Sequence, residues 1–348
     1  MDEAPVLLPS VTACPSCNAQ LVAGELSCPQ CQQLIYAAKL KELAAEAEAH
    51  TQAGELGEAL ARWRSALELL PPETRQFAIV SEKIDGLSAK LLTPGTAIGK
   101  PAAPTTEKPA PPKSKLGPFG AIGAALVFIL SKAKFLLLGL SKATTLLSML
   151  VAFGVYWNLW GWKFAAGFVL SIYIHEMGHV AALRKFGMAA TAPMFIPGVG
   201  AFVRLKQYPA SPSEDAYVGL AGPIWGLGAA CLTGLIYLGT NHPLFAALTH
   251  TGALINLFNL MPLGSLDGGR GFRALSKRQR IFATLFVGGA WYLTSSGILL
   301  IVLVVAGMCC FSPSAPKKED LQAMAKYVLL VITLSALVYW TADVTVKG

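Results

Sequence analysis

The chain has 348 residues, of which 54% are apolar and only 14% are charged, whereas about 25% of the residues of a soluble domain are charged. This composition excludes a single soluble globule. Residues 1–117 hold 11 basic and 13 acidic residues, and residues 118–348 hold 17 basic and 7 acidic residues. A hydrophobic region with a positive excess is typical of membrane helices joined by basic loops, and it argues against nucleic acid as a partner.

The first predicted element is a zinc-ribbon-like module in residues 1–36. Its four cysteines, Cys14, Cys17, Cys28 and Cys31, form the pattern C-x2-C-x10-C-x2-C, and this spacing allows four thiolates to close a tetrahedral zinc site. A redox-active CxxC pair is the alternative, but no thioredoxin-like βαβ pattern accompanies the motifs. Because no long apolar run precedes Cys14, we expect no cleavable secretion signal and a cytoplasmic, reducing location. The motifs therefore predict one structural zinc ion.

Residues 37–92 are predicted to form a helical module. They are rich in Ala, Glu and Leu at helical spacing, with a break at Gly54 and a stop at Pro71. The positions of small and aromatic residues resemble one tetratricopeptide repeat, but stable arrays need three or more repeats, so a plain helical hairpin is an equal alternative. Either form predicts a module that holds a protein partner or packs on the rest of the chain. The Pro-rich stretch 93–117 predicts an extended linker.

Residues 118–348 are predicted to form the membrane domain. Seven apolar segments follow one another, at 118–142, 143–159, 164–183, 216–238, 243–262, 281–307 and 323–342. The first contains three lysines, so we expect it at the membrane interface and expect about six helices to span the bilayer. Basic residues cluster after the third and fifth segments, which predicts that both termini are cytoplasmic. The basic run 270–280 also suits contact with anionic lipid, although topology alone accounts for it.

The third apolar segment carries a metal-binding pattern. His175, Glu176 and His179 form H-E-x-x-H. Residues four apart on a helix share a face, so both imidazoles reach one zinc ion while Glu176 handles a proton. Ionisable groups inside a membrane are costly and therefore indicate function. A His–Glu pair that bonds between helices is the alternative, but it does not explain the second histidine one turn later.

A catalytic zinc site usually has three protein ligands, and two histidines leave this site one short. Asp267 is the best-placed candidate, because no other acidic residue lies between positions 216 and 318 and because it follows a helix expected to return to the side of His179. The other histidines are expected in the soluble module or toward the opposite membrane face: His50, His242 and His250. The sequence thus predicts two imidazoles and one carboxylate with one open position.

Together these motifs resemble the site-2 protease family of intramembrane zinc metalloproteases. The resemblance rests on HEMGH, on NLMPLGSLDGG at 259–269 and on Gly222-Pro223, and it covers about residues 143–280. It implies that the two histidines and Asp267 bind the catalytic zinc, that Glu176 is the general base, and that Asn259 lines the site and binds substrate. The N-terminal modules lie outside the family core, and no PDZ-sized insertion is present, so substrate selection is expected to rest on those modules.

The resemblance implies an all-α polytopic protein of a bacterial cytoplasmic membrane that cuts transmembrane or membrane-adjacent segments of other proteins near the cytoplasmic face. The stretch 191–206 predicts a short membrane-associated β-hairpin whose edge pairs with an unwound substrate, or else a plain loop. Gly222, Gly226 and Gly228 predict close approach of helices. Two alternatives come from other classes: a catalytically silent scaffold that recruits partners through the N-terminal modules, and a metal transporter, which would need polar residues along several spans.

Overall fold

The computed structural model describes residues 12–22, 24–93, 143–198, 200–203, 209–312 and 315–347. The chain divides into two compact units: residues up to Ala103 together with Lys185–Met188, and the remainder. The predicted linker and the first apolar segment, 118–142, lie outside the described residues except for position 93. The helices are α1 (Ala37–Gln52), α2 (Leu56–Leu67), α3 (Arg75–Leu92), α4 (Ala143–Trp160), α5 (Trp162–Lys185), α6 (Pro212–Thr240), α7 (Pro243–Asn259), α8 (Asp267–Arg273), α9 (Lys277–Thr294), α10 (Gly297–Cys310) and α11 (Leu321–Lys347).

The first unit combines the cysteine segment with three helices. Two isolated antiparallel bridges, Ala13 with Gln20 and Ser27 with Leu34, each enclose one CxxC motif. Helices α1 and α2 pack together across a turn, and α3 packs on α2. Their buried apolar residues include Leu43, Ala47, Leu60, Trp63 and Ile84. Phe186 is buried in this unit, and its carbonyl oxygen accepts a hydrogen bond from Nε of Arg64 at 3.2 Å.

The second unit contains four helices that are long and apolar enough to cross a membrane, counted among the described residues: α4, α5, α6 and the Leu321–Ala342 part of α11. Helix α10 is apolar but shorter. Helix α6 packs against α7, α8 and α11, and α7 packs against α11. Buried side chains such as Leu220, Leu257 and Tyr327 form the core between these helices. The unit buries His175, Glu176 and His179 on α5 and Asp267 at the start of α8.

The expectation of one continuous apolar helix over 281–307 is wrong. Helix α9 ends at Thr294 and α10 begins at Gly297, and the two helices pack against each other. Ser295 adopts a left-handed backbone conformation, with φ of 51°, and its N–H bonds to the Trp291 carbonyl. Hydroxyl side chains favour helix ends, and the Thr-Ser-Ser-Gly run therefore turns the chain where hydropathy alone predicts a single span.

A two-stranded antiparallel pair lies within the stretch 191–206. Strands β1 (Met194–Ile196) and β2 (Gly200–Phe202) pair with Phe195 opposite Ala201. The Phe195 N–H donates to the Ser148 hydroxyl at 3.2 Å, and the Gly198 N–H donates to the Tyr156 hydroxyl at 3.0 Å. These bonds attach the strand pair to α4. Its association with a membrane stays a prediction.

Candidate metal centre

Three potential metal ligands meet between α5 and the start of α8. Nε2 of His175 lies 3.2 Å from Nε2 of His179. The Asp267 carboxylate oxygens lie 3.1 Å from the first nitrogen and 3.2 Å from the second. All three side chains are buried. The structure therefore brings together the three residues that the sequence analysis selected from two distant motifs.

The outer nitrogen of each imidazole faces an oxygen that accepts a hydrogen bond. Nδ1 of His179 lies 2.9 Å from the Val218 carbonyl oxygen, and Nδ1 of His175 lies 2.9 Å from Oδ1 of Asn256. Because these oxygens accept, each Nδ1 carries a proton, and in the neutral form of each ring Nε2 is the acceptor that faces the centre. Partners of this kind commonly orient metal-binding histidines.

The arrangement of these atoms fits a zinc ion. With neutral imidazoles, the two Nε2 atoms and the Asp267 carboxylate are all acceptors, and three acceptors at 3.1–3.2 Å from one another repel unless a cation lies among them. Zinc bonds of 2.0–2.2 Å in tetrahedral geometry place ligand atoms about 3.3 Å apart. The spacing and the donor types therefore suit a zinc site with three protein ligands.

Small residues allow these elements to approach. A Cβ on Gly268 would overlap with the Leu260 carbonyl, so this glycine lets α8 begin close to the end of α7 and places Asp267 beside the histidines. Asp215 in the first turn of α6 accepts hydrogen bonds from Arg270 Nε at 2.7 Å and from Arg273 Nη2 at 2.9 Å. These ion pairs hold α8, the helix that begins with Asp267, against α6.

A cavity of about 590 Å³ adjoins the three ligands. Glu176 and Asn259 line it together with residues of the β1–β2 turn region, among them Gly198 and Ala201. Glu176 is buried, and Nδ2 of Asn259 lies 3.5 Å from Nε2 of His175. The cavity therefore offers space for a peptide segment beside the centre, and the Glu176 carboxylate and the Asn259 amide are among the groups that line it.

One contact in this site was missed by the sequence analysis. Asn256, three residues before Asn259, bonds His175, and its only signal in the sequence is a polar side chain one turn from the recognised motif. Close approach of helices was expected at Gly222, Gly226 and Gly228. A Cβ on Gly222 would overlap with the His179 imidazole, and one on Gly226 would overlap with the Asn256 amide. No atom of the described residues lies within 4 Å of a Cβ built on Gly228.

The four cysteines of the N-terminal module form a second cluster. Their sulfur atoms all lie within 4.8 Å of one another, with Cys14 and Cys31 at 3.6 Å and Cys17 and Cys28 at 3.6 Å. Tetrahedral zinc with bonds of 2.3 Å to sulfur predicts separations of about 3.8 Å. The N–H groups of Ser16 and Cys17 donate to the Cys14 sulfur and lower the pKa of that thiol to about 6, which favours a thiolate at Cys14, whereas the pKa of Cys17 and that of Cys31 are raised in the metal-free cluster.

Comparison with known proteins supports the resemblance. Residues 163–241, which include the HEMGH helix, match the family model of peptidase family M50. A zinc metalloprotease of Methanocaldococcus jannaschii is 27% identical over 125 residues, which cover 34% of this chain and 36% of that protein's own length. No solved structure matches the chain significantly. The family match over residues 163–241 and the similarity to this metalloprotease agree with the resemblance of these motifs to the site-2 proteases.

Proposed function

We propose that this protein is a zinc metalloendopeptidase that hydrolyses peptide bonds in or near transmembrane segments of membrane proteins. The observation that carries the proposal is the meeting of three buried acceptor groups, on His175, His179 and Asp267, beside Glu176 and a cavity. The similarity to an archaeal zinc metalloprotease supports the same chemistry.

The residues of the site have different roles in the proposed reaction. Bound zinc supplies a Lewis acid that lowers the pKa of water toward about 7 and polarises a carbonyl group. Glu176 lines the cavity next to the ligands, where its carboxylate accepts a proton from the attacking water and returns it to the leaving amine. The Asn259 amide lines the same cavity and donates a hydrogen bond to the oxyanion that develops on the scissile carbonyl.

The substrate reaches this site as an extended segment. A helix hides its carbonyl groups in internal hydrogen bonds, so a substrate helix must unwind locally before attack. Residues of the strand pair line the cavity, and since the Phe195 N–H of β1 bonds to Ser148 on α4, β2 is the edge that suits a further strand. We propose that the substrate pairs with β2 while its scissile bond lies in the cavity beside the three ligands.

The remaining parts of the chain are assigned in the same way. We propose that the N-terminal modules lie in the cytoplasm of a bacterium and that lipid surrounds the apolar outer faces of the membrane helices. Residues 1–36 would hold a structural zinc ion through the four cysteines, and residues 37–92 would bind a protein partner or select substrates. The close sulfur cluster supports the first of these assignments, and the three packed helices are compatible with the second.

Replacement of the general base tests the proposal. Membranes that carry Glu176→Gln should accumulate uncut substrate proteins relative to the wild type, while the zinc content stays unchanged because Glu176 is not among the three ligands. Asp267→Ala should lower zinc affinity by more than about 100-fold, because losing a ligand costs more than losing a residue that is only hydrogen-bonded to a ligand. Glu319→Gln, at an exposed position between α10 and α11, is the matched control and should process substrates normally.

A catalytically silent scaffold predicts a different outcome. In that case Glu176→Gln and the wild type would show the same membrane proteins at the same lengths, and the protease proposal would fail. The buried trio beside Glu176 favours the enzyme, because burying ionisable groups among apolar helices is costly and a scaffold has no physical need for them.

A further inference from the structure

A buried side chain outside both recognised motifs contacts a proposed zinc ligand. Asn256 on α7 is 4% exposed, and its Oδ1 lies 2.9 Å from Nδ1 of His175 on α5. The second motif begins only at Asn259, one helical turn later, and Asn259 faces the opposite nitrogen of the same ring. The two asparagines therefore have different positions relative to His175.

The orientation of the Asn256 amide follows from its other partner. Nδ2 donates to the Gly252 carbonyl oxygen at 2.8 Å, and a carbonyl only accepts. Oδ1 is therefore the atom directed at His175, and the imidazole must donate from Nδ1. This bond selects the tautomer whose Nε2 lone pair faces His179 and Asp267.

Helix α6 is shaped to leave room for this amide. A Cβ on Gly226 would overlap with Oδ1 of Asn256 and would lie 2.5 Å from its Nδ2. His179 needs no equivalent side chain, because the main-chain carbonyl of Val218 accepts from its Nδ1. Among the described residues, His175 thus has a side chain, Asn256, as the partner of its Nδ1, whereas His179 has a main-chain carbonyl.

We infer that Asn256 is a positioning residue that sets the tautomer and ring orientation of His175 for zinc, and that Gly226 makes space for it. The inference rests on the proposed zinc function. Loss of such an outer partner typically lowers metal affinity about 10- to 100-fold. Asn256 itself does not touch the metal, so its removal weakens binding without removing a ligand.

Cobalt titration of the full-length protein tests the inference. Metal-free protein is titrated with Co²⁺, whose visible absorption reports the geometry of the membrane site, while sulfur-to-cobalt bands from the cysteine site serve as an internal reference. Asn256→Leu should lower Co²⁺ affinity of the membrane site about 10- to 100-fold and alter its visible spectrum. Asn256→Asp keeps an acceptor for Nδ1 and should restore both to near the wild-type values.

The matched control is Asn158→Leu. Asn158 on α4 is exposed, and its Nδ2 donates to the Gly154 carbonyl four residues earlier, the same local bond that Asn256 makes to Gly252. This variant should leave the membrane-site spectrum unchanged. Gly226→Ala should reproduce the effect of Asn256→Leu, because the added methyl displaces the amide.

The outcomes separate this inference from the proposed function. Unchanged Co²⁺ affinity in Asn256→Leu, or an equal loss in Asn256→Asp, would overturn the positioning role. A loss in Asn256→Leu with recovery in Asn256→Asp supports it, even if the wild-type protein cleaves no substrate and the protease proposal fails. Conversely, cleavage that depends on Glu176 would support the protease proposal. If Asn256→Leu then bound Co²⁺ as tightly as the wild type, the positioning role of Asn256 would be rejected.

Discussion

Gly222 on α6 lies so close to the imidazole of His179 on α5 that a Cβ at this position would overlap with Nε2. The same Cβ would lie 2.7 Å from Nε2 of His175. A glycine at this point lets the helix backbone pass beside the metal-facing nitrogens of both histidines. The fit explains why a residue without a side chain occurs in the middle of a long helix.

Gly222→Ala should therefore damage the site rather than the helix. The methyl group must displace at least one imidazole, and a misplacement near 1 Å costs about 100-fold in rate. We expect proteolysis to fall by about that factor and zinc affinity to fall with it, measured on purified full-length protein. Zinc content after dialysis provides a readout independent of a substrate.

Gly228→Ala is the matched control on the same helix. Within the part of the chain that the structure describes, no atom lies within 4 Å of its Cβ position, and alanine in a helix interior is favoured over glycine by about 0.5–1 kcal/mol. Gly228→Ala should therefore keep full zinc affinity and unfold at the same or a slightly higher temperature. Equal zinc affinity in both variants would show that Gly222 is not at the metal centre.

The sequence indicated the proposed metal ligands of the site but not the contacts that orient them across neighbouring helices. The HEMGH spacing predicts a shared helix face, and scarcity of acidic residues singled out Asp267, because both arguments depend only on local geometry and composition. Asn256 was missed because its partner, His175, lies 81 residues away, and a polar residue in an apolar helix has many non-functional explanations. Contacts between distant helices depend on packing that periodicity does not specify.

The same limit applies to the fold, where the sequence indicated local segments but not how they turn and pack. Hydropathy located the apolar segments, but it joined α9 and α10 into one, because averaging over a span hides a two-residue turn at Ser295 and Ser296. The glycines illustrate the limit further: Gly222, Gly226 and Gly228 look alike in sequence, yet they meet imidazoles, an amide and open space respectively. Only the neighbouring helix distinguishes these roles.

The ion pairs of Asp215 provide a test of how α8 is held. The Asp215 and Arg270 side chains are 18% and 12% exposed, so Asp215→Asn leaves a largely buried guanidinium without its counter-charge. Loss of a hydrogen bond to a charged group costs about 1.5–3 kcal/mol. We expect a lower unfolding temperature and weaker zinc binding, because the helix that begins with Asp267 loses an anchor.

A double-mutant cycle with Arg270→Gln checks this explanation. If the two side chains act as a pair, the double variant should lose clearly less stability than the sum of the single losses, by more than about 0.5 kcal/mol. Additive losses would indicate that Asp215 stabilises the protein through other contacts.

The cysteine cluster predicts a second zinc ion that is independent of the membrane site. Cys28 is buried in the cluster, and Cys28→Ser removes one of four ligands. Zinc content of the purified protein, measured by atomic emission, should fall from two ions per chain to one. Cys231→Ser alters an exposed cysteine on α6 and should keep two ions; a content of two in Cys28→Ser as well would contradict the structural zinc site.

The two cysteine turns also predict a stabilising substitution. Asn18 and Gln32 follow the second cysteine of each motif, and both adopt the left-handed conformation, with φ of 59° and 57°. Their N–H groups bond to the carbonyls of Cys14 and Cys28, bonds that glycine retains. The left-handed conformation costs most residues about 1–2 kcal/mol, whereas glycine adopts it freely and asparagine does so more readily than glutamine.

Gln32→Gly should therefore strengthen the cysteine site more than Asn18→Gly. Part of the gain is offset by the greater freedom of glycine in the unfolded chain, so we expect a net effect near 1 kcal/mol, or roughly a fivefold slower release of zinc to a chelator. Zinc release from the full-length protein, followed with a coloured chelator, measures the difference. Faster release from Gln32→Gly than from the wild type would contradict this prediction. It would show that the stabilisation lost with the Gln32 side chain exceeds the backbone strain that glycine relieves.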